Sequence, residues 1–212
     1  MTISQHHQSP FFDSRLNRKG TSILVVHSTG SNSLIGTLSW FKSPNNNAKT
    51  SAHYVIGKKG DLYQMVDDED VAYHAGAGEW NGVTNINRHS IGIEVVADTK
   101  TAYTDEQIAS LHWLCVDLMT KHRIKGENLV RHSDIAPGRK ADPYTANLEW
   151  EPFKEGVVAE IGKPLEVGKH YALPYYERLL KEGIYTKQKD FDTGVTYGEL
   201  SVILCRMLDH IH

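Results

Sequence analysis

The stretch RHSDIAPGRKADPY, residues 131–144, places a histidine and two carboxylates beside arginine and lysine side chains around a Pro-Gly turn. Within it, His132 and Asp142 lie on either side of that turn. Zinc hydrolases commonly hold their ion with three histidine or carboxylate ligands and leave a fourth position for water. The stretch therefore supplies two candidate ligands, and a third must come from elsewhere in the chain. The alternative is a capped turn in which Asp142 orders the loop and His132 is a surface residue.

His27 is the candidate third ligand. It follows a run of β-branched and aliphatic residues from about Ser22 to Val26, which predicts a buried strand that ends at this histidine. Taken alone, such a histidine is more often a satisfied core residue than a ligand, and only its pairing with the later stretch reverses that preference. Two neutral imidazoles and one carboxylate would leave a Zn²⁺ ion with net positive charge, which lowers the pKa of a bound water to roughly 7.

Two further charged residues are candidates for catalysis. Glu94 lies in SIGIEVV, where it alternates with aliphatic residues, and a carboxylate on an apolar strand is costly to bury without a partner. A zinc-bound water would be such a partner, and Glu94 would then be a general base. Lys140 precedes Asp142 by two residues and would project to the same side of an extended segment, where it could stabilise an oxyanion. The alternatives are an edge-strand carboxylate and a solvated lysine.

Composition excludes several classes of partner. The chain has 212 residues, of which 40% are hydrophobic and 23% charged, and its net charge is -3 with a pI near 6.4. Such a chain has no basic field that would attract nucleic acid or an anionic membrane. No run approaches the roughly 18 apolar residues of a membrane helix, and the N-terminus lacks a signal-peptide pattern, so we expect synthesis in the cytoplasm and no membrane insertion. Cys115 and Cys205 are expected to be reduced thiols in apolar helix faces.

The order of the predicted elements indicates an α/β or α+β domain. A hairpin is predicted around Lys59 and Gly60, with Gly60 at positive φ, and a helix is predicted from Thr104, which forms a capping-box pattern with Gln107. The other predictions are a helix over residues 34–41 and a long surface loop over residues 67–90. We divide the chain into a catalytic domain (1–158), a linker (159–172) and a small helical C-terminal module (173–212) that would bind cell wall or form a homodimer.

Five pieces of the chain carry a family resemblance: VVHST, SAHYVIGKKGDLYQMV, YHAG, SIGIEVV and RHSDIAPGRKADP, in this order within residues 20–155. Together they resemble the zinc-dependent N-acetylmuramoyl-L-alanine amidases of the amidase type 2 family, which includes phage lysozymes and peptidoglycan recognition proteins. The resemblance implies an α/β fold with a mixed central sheet flanked by helices. It also implies Zn²⁺ bound by His27, His132 and Asp142, with Glu94 as base and Lys140 as electrostatic stabiliser.

Two positions indicate which branch of the family the chain is similar to. The recognition proteins and phage lysozymes have a catalytic tyrosine where this chain has Ala52, and a cysteine ligand where it has Asp142. Those branches also lack the strand glutamate, whereas this chain has Glu94. The pattern therefore resembles the branch that contains the muropeptide-recycling amidases.

Four residues are predicted to contact substrate: His74, Trp80, Asn85 and Arg139. Trp80 could equally anchor its own loop, and His53 is expected to support the site without binding metal. The predicted reaction is hydrolysis of the amide between N-acetylmuramic acid and L-alanine in bacterial peptidoglycan. The C-terminal module faintly resembles a single S-layer homology unit, which favours an endolysin released through a holin pore. The alternatives are a cytoplasmic amidase that recycles anhydro-muropeptides and a non-catalytic peptidoglycan-binding protein.

Overall fold

The computed structural model of the chain describes residues 3–4, 8–14, 16, 19–144 and 147–163. Residues Ile3–Ile161 form one compact unit. The predicted C-terminal module, Cys205 and most of the predicted linker lie outside the described residues. The elements in chain order are β1 (Ile3–Ser4), β2 (Phe12–Asp13), β3 (Ile23–Ser28), α1 (Leu34–Trp40), β4 (Tyr54–Ile56), β5 (Leu62–Gln64), β6 (Val71–Ala72), β7 (Glu79–Trp80), β8 (Val83–Thr84), β9 (Ser90–Val95), α2 (Asp105–His122), β10 (Leu129–Arg131), α3 (His132–Ile135) and α4 (Trp150–Glu160).

Six strands form the central sheet in the order β1-β5-β4-β9-β3-β10. Neighbouring strands are parallel except β4 and β5, which form the antiparallel hairpin predicted around Gly60. Gly60 has a φ of 77°, a left-handed conformation that favours glycine. Every residue of β3 is buried, as expected of a strand covered on both faces. The predicted mixed sheet is confirmed.

The register of three adjacent strands aligns the predicted site residues. In the pairing of β3 with β9, His27 lies opposite Glu94. In the pairing of β3 with β10, Arg131 lies opposite Val26, so His132 follows beside His27. Because directly paired residues of neighbouring strands project to the same face of a sheet, the three side chains emerge together at the carboxyl ends of the strands.

Helix α2 begins as predicted. Thr104 and Gln107 form a capping box, in which each side chain accepts a hydrogen bond from the other residue's backbone N–H. The Gln107 side-chain amide also donates to the carbonyl oxygen of Val96, 2.9 Å away, which ties the helix to the sheet. Cys115 is buried on this helix as a free thiol.

Helix α4 was not predicted from the sequence. Its last two residues, Ala159 and Glu160, extend into the region predicted to be the linker (159–172). Helix α4 packs against α2, where the rings of Phe153 and His112 meet edge to face with their centroids 5.8 Å apart. Packing of the buried Phe153 and Val157 stabilises a helix that local propensity does not favour.

The prediction of a plain surface loop over residues 67–90 is wrong. This segment contains β6, β7, β8 and a 3₁₀ turn over Ile86–Arg88, and it buries Val71, Ala75 and Ile86. Ala75 and Ile86 pack with Ile23 and residues that follow β10. The apolar residues that make these contacts are spaced irregularly, so neither helical nor strand periodicity revealed them.

In the described part of the chain, no helix has the length and apolar character required to cross a membrane.

Candidate metal centre

His27, His132 and Asp142 converge at the end of the sheet. His27 Nδ1 lies 2.9 Å from His132 Nδ1, and Asp142 Oδ2 lies 3.0 Å from His132 Nδ1 and 3.4 Å from His27 Nδ1. All three residues are buried. The backbone N–H of Ser133 donates to the carbonyl oxygen of Asp142 at 3.0 Å and closes the loop that brings Asp142 back to His132. Within the described residues, these three form the group that could hold a metal ion.

The hydrogen bonds of His132 show which of its ring nitrogens is unprotonated and directs a lone pair at the centre. His132 Nε2 lies 3.1 Å from the carbonyl oxygen of Ala75, which can only accept a hydrogen bond. Nε2 therefore carries the proton, and in the neutral ring Nδ1 is an acceptor. Burial lowers the pKa of His27 to about 4 despite the opposing influence of Asp142, so this ring is neutral as well.

The donor set fits zinc. Two imidazole nitrogens and one carboxylate oxygen face one another with no donor between them, and such a group of acceptors is stabilised by a cation. Separations near 3 Å allow all three atoms to lie about 2.0–2.2 Å from a single ion, as zinc–nitrogen and zinc–oxygen bonds require. Three protein ligands leave a coordination position open, which is typical of catalytic zinc sites rather than structural ones.

Glu94 extends the centre on the β9 side. Its Oε2 is shielded from solvent and has no hydrogen-bond partner among the described residues. Burial raises the pKa of Glu94 to about 8; the charge of Asp142 acts in the same direction, and Lys140 opposes it. A carboxyl group whose pKa lies near neutrality can exchange a proton with a reacting group.

Lys140 lies on the exposed side of the centre. Its side chain is solvent-exposed, and its positive charge acts on both Glu94 and His27. The backbone N–H of Lys140 donates to the carbonyl oxygen of Ala136 at 3.0 Å, so the turn that carries it is fixed. Its predicted role as an oxyanion stabiliser stays a prediction.

The hydrogen bonds of Trp80 and Arg139 show what these two predicted contact residues do within the protein. Trp80 Nε1 donates to Asn128 Oδ1 at 3.1 Å, and the ring lines a cavity of about 320 Å³ that includes Ile23, at the opposite end of β3 from His27. This arrangement favours the alternative in which Trp80 anchors its loop. Arg139 donates to the carbonyl oxygens of Ala75 and Ala77 and so holds the neighbouring loop.

Asn85 and the two remaining histidines have different environments. Asn85 is exposed, has a φ of 54°, and lines a small cavity of about 120 Å³. His53 is buried; its Nδ1 accepts from the N–H of Gly92 at 3.0 Å, and its Nε2 donates to the carbonyl oxygen of Asp70 at 3.2 Å. His74 lies behind His27, with both ring nitrogens near protein atoms. The predicted substrate contacts of His74 and Asn85 remain untested.

Sequence reasoning missed two residues near the centre. Tyr144, in the Asp-Pro-Tyr end of the decisive stretch, is 37% exposed, and its backbone N–H donates to Ser28 Oγ at 3.3 Å. Burial raises the pKa of its phenol, and the charges of Asp142 and Glu94 act in the same direction. Ser90, on β9, was also not considered, although its spacing of four from Glu94 places both side chains on one face of the strand.

Comparison with known proteins identifies the family of the chain. The family model described as N-acetylmuramoyl-L-alanine amidase matches residues 17–145, which include the three candidate ligands, Glu94 and Lys140. The chain belongs to this family, and the predicted class of enzyme, an amidase, is confirmed.

Three relatives show how far the similarity extends. The 1,6-anhydro-N-acetylmuramyl-L-alanine amidase AmpD of Haemophilus influenzae is 30% identical over 173 residues, which cover 74% of this chain and 94% of AmpD. A Se-Met AmpD derivative superposes with a TM-score of 0.64 at 29% identity, over 74% of this chain and 95% of that chain. The N-acetylmuramoyl-L-alanine amidase AmiD of Escherichia coli is 34% identical over 139 residues, or 57% of this chain; the chain spans about half of AmiD (48%).

Two further solved structures also share the fold. AmiD from E. coli, in complex with the substrate anhydro-N-acetylmuramic acid-L-Ala-D-gamma-Glu-L-Lys, superposes with a TM-score of 0.57 at 28% identity, over 70% of this chain and 60% of that chain. A mutant endolysin from Bacillus subtilis gives a TM-score of 0.56 at 27% identity, over 74% of this chain and 99% of that chain.

Proposed function

We propose that the chain is a zinc-dependent amidase that cleaves the bond between N-acetylmuramic acid and L-alanine in peptidoglycan or its fragments. The observation that carries this proposal is the convergence of His27 Nδ1, His132 Nδ1 and Asp142 Oδ2 beside the unpartnered Oε2 of Glu94. The substrate named for AmiD contains this amide linkage, which supports the choice of bond.

The chemistry divides between the metal and the residues of the chain. When bound, zinc acts as a Lewis acid that acidifies water and polarises a carbonyl group. Glu94 accepts the proton of the attacking water, because its buried Oε2 has no other hydrogen-bond partner among the described residues. Lys140 places a positive charge where the tetrahedral oxyanion develops. Protonated Glu94 then returns the proton to the leaving amine of L-alanine.

A single experiment tests the metal and the reaction together. Purified protein is analysed for zinc, and its action on a muramoyl tripeptide is followed through the release of L-alanine amino termini. We expect about one zinc per chain and an activity that a chelator abolishes and added Zn²⁺ restores. Activity that is unaffected after complete removal of the metal would contradict the proposal.

The physiological substrate separates two versions of this function. AmpD, which the chain covers almost completely, is named for 1,6-anhydro-N-acetylmuramyl-L-alanine, whereas the Bacillus subtilis neighbour is an endolysin. Aspartate at position 142 and the presence of Glu94 favour the recycling version. The test compares amidase activity on soluble anhydro-muropeptide with activity on intact sacculi, which is measured as loss of turbidity. Preference for the soluble fragment supports recycling, and rapid clearing of sacculi supports an endolysin.

A further inference from the structure

His74 contacts His27 on the side opposite the metal centre. His74 Nδ1 lies 3.0 Å from His27 Nε2, and the two rings meet edge to face with their centroids 5.1 Å apart. On its other side, His74 Nε2 lies 3.1 Å from Ser90 Oγ. His74 therefore connects a serine of β9 to a candidate metal ligand of β3.

The position of each proton in the series of contacts from Ser90 through His74 to His27 can be assigned by starting at the Ser90 hydroxyl. The Ser90 hydroxyl donates to the carbonyl oxygen of Ile86, 2.7 Å away, and that donation uses its only hydrogen. Ser90 Oγ consequently accepts from His74 Nε2–H. In the neutral His74 ring, Nδ1 is then the acceptor of a hydrogen bond from His27 Nε2–H. The remaining nitrogen of His27, Nδ1, is left as a lone pair directed at the metal centre.

Two neighbouring residues, Asn87 and Gly92, determine the position of the His74 ring beside His27. Asn87 Oδ1 accepts hydrogen bonds from the backbone N–H groups of His74, at 3.1 Å, and Ala75, at 2.8 Å, which fixes the start of the side chain. Gly92 provides the space for the ring, because a Cβ atom at residue 92 would lie 2.4 Å from His74 Cγ. Three alternate residues of β9 therefore lie on one face of the strand. Ser90 orients the His74 imidazole, Gly92 leaves space for it, and Glu94 faces the metal centre.

We propose that His74 is a positioning residue which, oriented by Ser90, holds His27 in the tautomer that presents Nδ1 to the metal. This role differs from the substrate contact predicted for His74 from the sequence. Ligating histidines generally donate their second ring N–H to an acceptor that fixes the tautomer, and loss of that acceptor typically weakens metal binding by about 10- to 100-fold. Here the acceptor is a third imidazole. The proposal rests on the metal site of the proposed function.

The test compares two substitutions of nearly identical shape. His74→Leu removes the acceptor, whereas His74→Asn retains an oxygen close to the position of Nδ1. The measurements are zinc affinity by competition with a chromophoric chelator, and the visible absorption of the Co²⁺-loaded protein, which reports ligand geometry. We expect His74→Leu to bind zinc about 10- to 100-fold more weakly than wild type, and His74→Asn to recover most of the loss.

A pair of serine substitutions provides a second measurement that does not alter the histidine. Ser90→Ala removes the group that orients His74, and Ser110→Ala is its control. Ser110 is equally buried, and its hydroxyl also donates to a backbone carbonyl, that of Gly60 at 2.7 Å, but it lies on α2. We expect Ser90→Ala to weaken zinc binding several-fold and Ser110→Ala to leave it unchanged, with similar thermal stabilities of the two metal-free proteins.

The outcomes separate this inference from the proposed function. A wild-type protein that binds no zinc would remove the metal site and the positioning role together. A wild-type protein that binds zinc, combined with equal affinities of the Leu and Asn variants, would overturn the positioning role alone. Equal zinc affinities of Ser90→Ala and Ser110→Ala would overturn the contribution of Ser90. A graded order of affinities, wild type above Asn above Leu, supports the inference.

Discussion

Asp68 and Asp142 are both carboxylates with 4% of the residue exposed, yet their surroundings are opposite. Asp68 accepts hydrogen bonds from Tyr54 Oη at 2.6 Å, Lys121 Nζ at 2.7 Å and His122 Nε2 at 2.9 Å. Asp142 Oδ2 instead lies 3.0 Å from Nδ1 of His132 and 3.4 Å from Nδ1 of His27, the two imidazoles that would share a metal ion with it. Burial is therefore not what distinguishes a reactive site from a structural one.

The two carboxylates differ in whether the protein supplies them with hydrogen-bond donors. Burial alone would raise the pKa of Asp68, but hydrogen bonds from His122, Lys121 and Tyr54 hold this pKa well below its usual range. Asp68 is thereby a satisfied anion that ties the end of α2 to the β4–β5 hairpin. The centre around Asp142 has acceptors without donors, and a cation completes it. Four predictions follow from this contrast, from the largest expected effect to the smallest.

Asp142→Asn should abolish metal binding and lower amidase activity by at least about 1000-fold, because several kcal/mol of transition-state stabilisation is lost with the metal. The metal-free variant should be as stable as metal-free wild type within about 1 kcal/mol, since the substitution relieves a cluster of acceptors. Elemental analysis, release of L-alanine amino termini and urea unfolding measure the three quantities. Full zinc content in this variant would show that Asp142 is not a ligand.

Glu94→Gln should reduce kcat by about 100- to 10,000-fold, the usual contribution of a general base, while zinc content stays at the wild-type level. Glutamine keeps the shape of the side chain but cannot accept the proton. Glu106→Gln, on the exposed first turn of α2, is the control and should leave kcat unchanged. A fully active Glu94→Gln variant would exclude Glu94 as the base.

Asp68→Ala should lower the free energy of unfolding by about 3 kcal/mol, because it leaves the buried Tyr54 hydroxyl and His122 without their acceptor. Activity and zinc affinity per folded molecule should not change, since the cluster binds no substrate. Chemical denaturation with parallel kinetics measures both. An Asp68→Ala variant that loses zinc without losing stability would show that Asp68 belongs to the metal site and is not a structural residue.

The pH dependence of stability should have opposite signs for Glu94 and Asp68. The folded-state pKa of Glu94 is about 8, above its unfolded value, so in metal-free protein its contribution is complete below pH 4.5 and is lost as pH rises toward 8. The slope should be at most about 1.4 kcal/mol per pH unit and should vanish in Glu94→Gln. The pKa of Asp68 is lowered, so its contribution exists above pH 3.8 and is lost on acidification. Denaturation of metal-free protein across roughly pH 2–9 measures both slopes, that of Asp68 below pH 3.8 and that of Glu94 above pH 4.5.

Much of the site was predictable because its residues occupy regular elements. His27 and Glu94 end apolar strands, and a polar residue at such a position is conspicuous against its neighbours. His132 and Asp142 share one short stretch with a Pro-Gly turn. The capping box of α2 was readable for the same reason, since Thr104 and Gln107 interact locally.

The parts that sequence reasoning missed depend on contacts between distant segments. The path of residues 67–90 is set by burial of Ala75 and Ile86 against β3, and the role of Ser90 depends on His74 reaching it from another part of the chain. Helix α4 is stabilised by burial of Phe153 and Val157, and Phe153 contacts His112 of α2. Such tertiary contacts leave no periodic signal in the sequence.

The alignment of His27, Glu94 and His132 at the ends of three paired strands has a consequence for how related chains can diverge. Their mutual spacing is set by backbone ladders, so connecting loops can lengthen or shorten without moving the proposed base relative to the two histidine ligands. Deleting one residue inside β9 would be far more damaging, because Glu94 would then turn to the other side of the sheet. Insertions should therefore be tolerated between these strands and rejected within them.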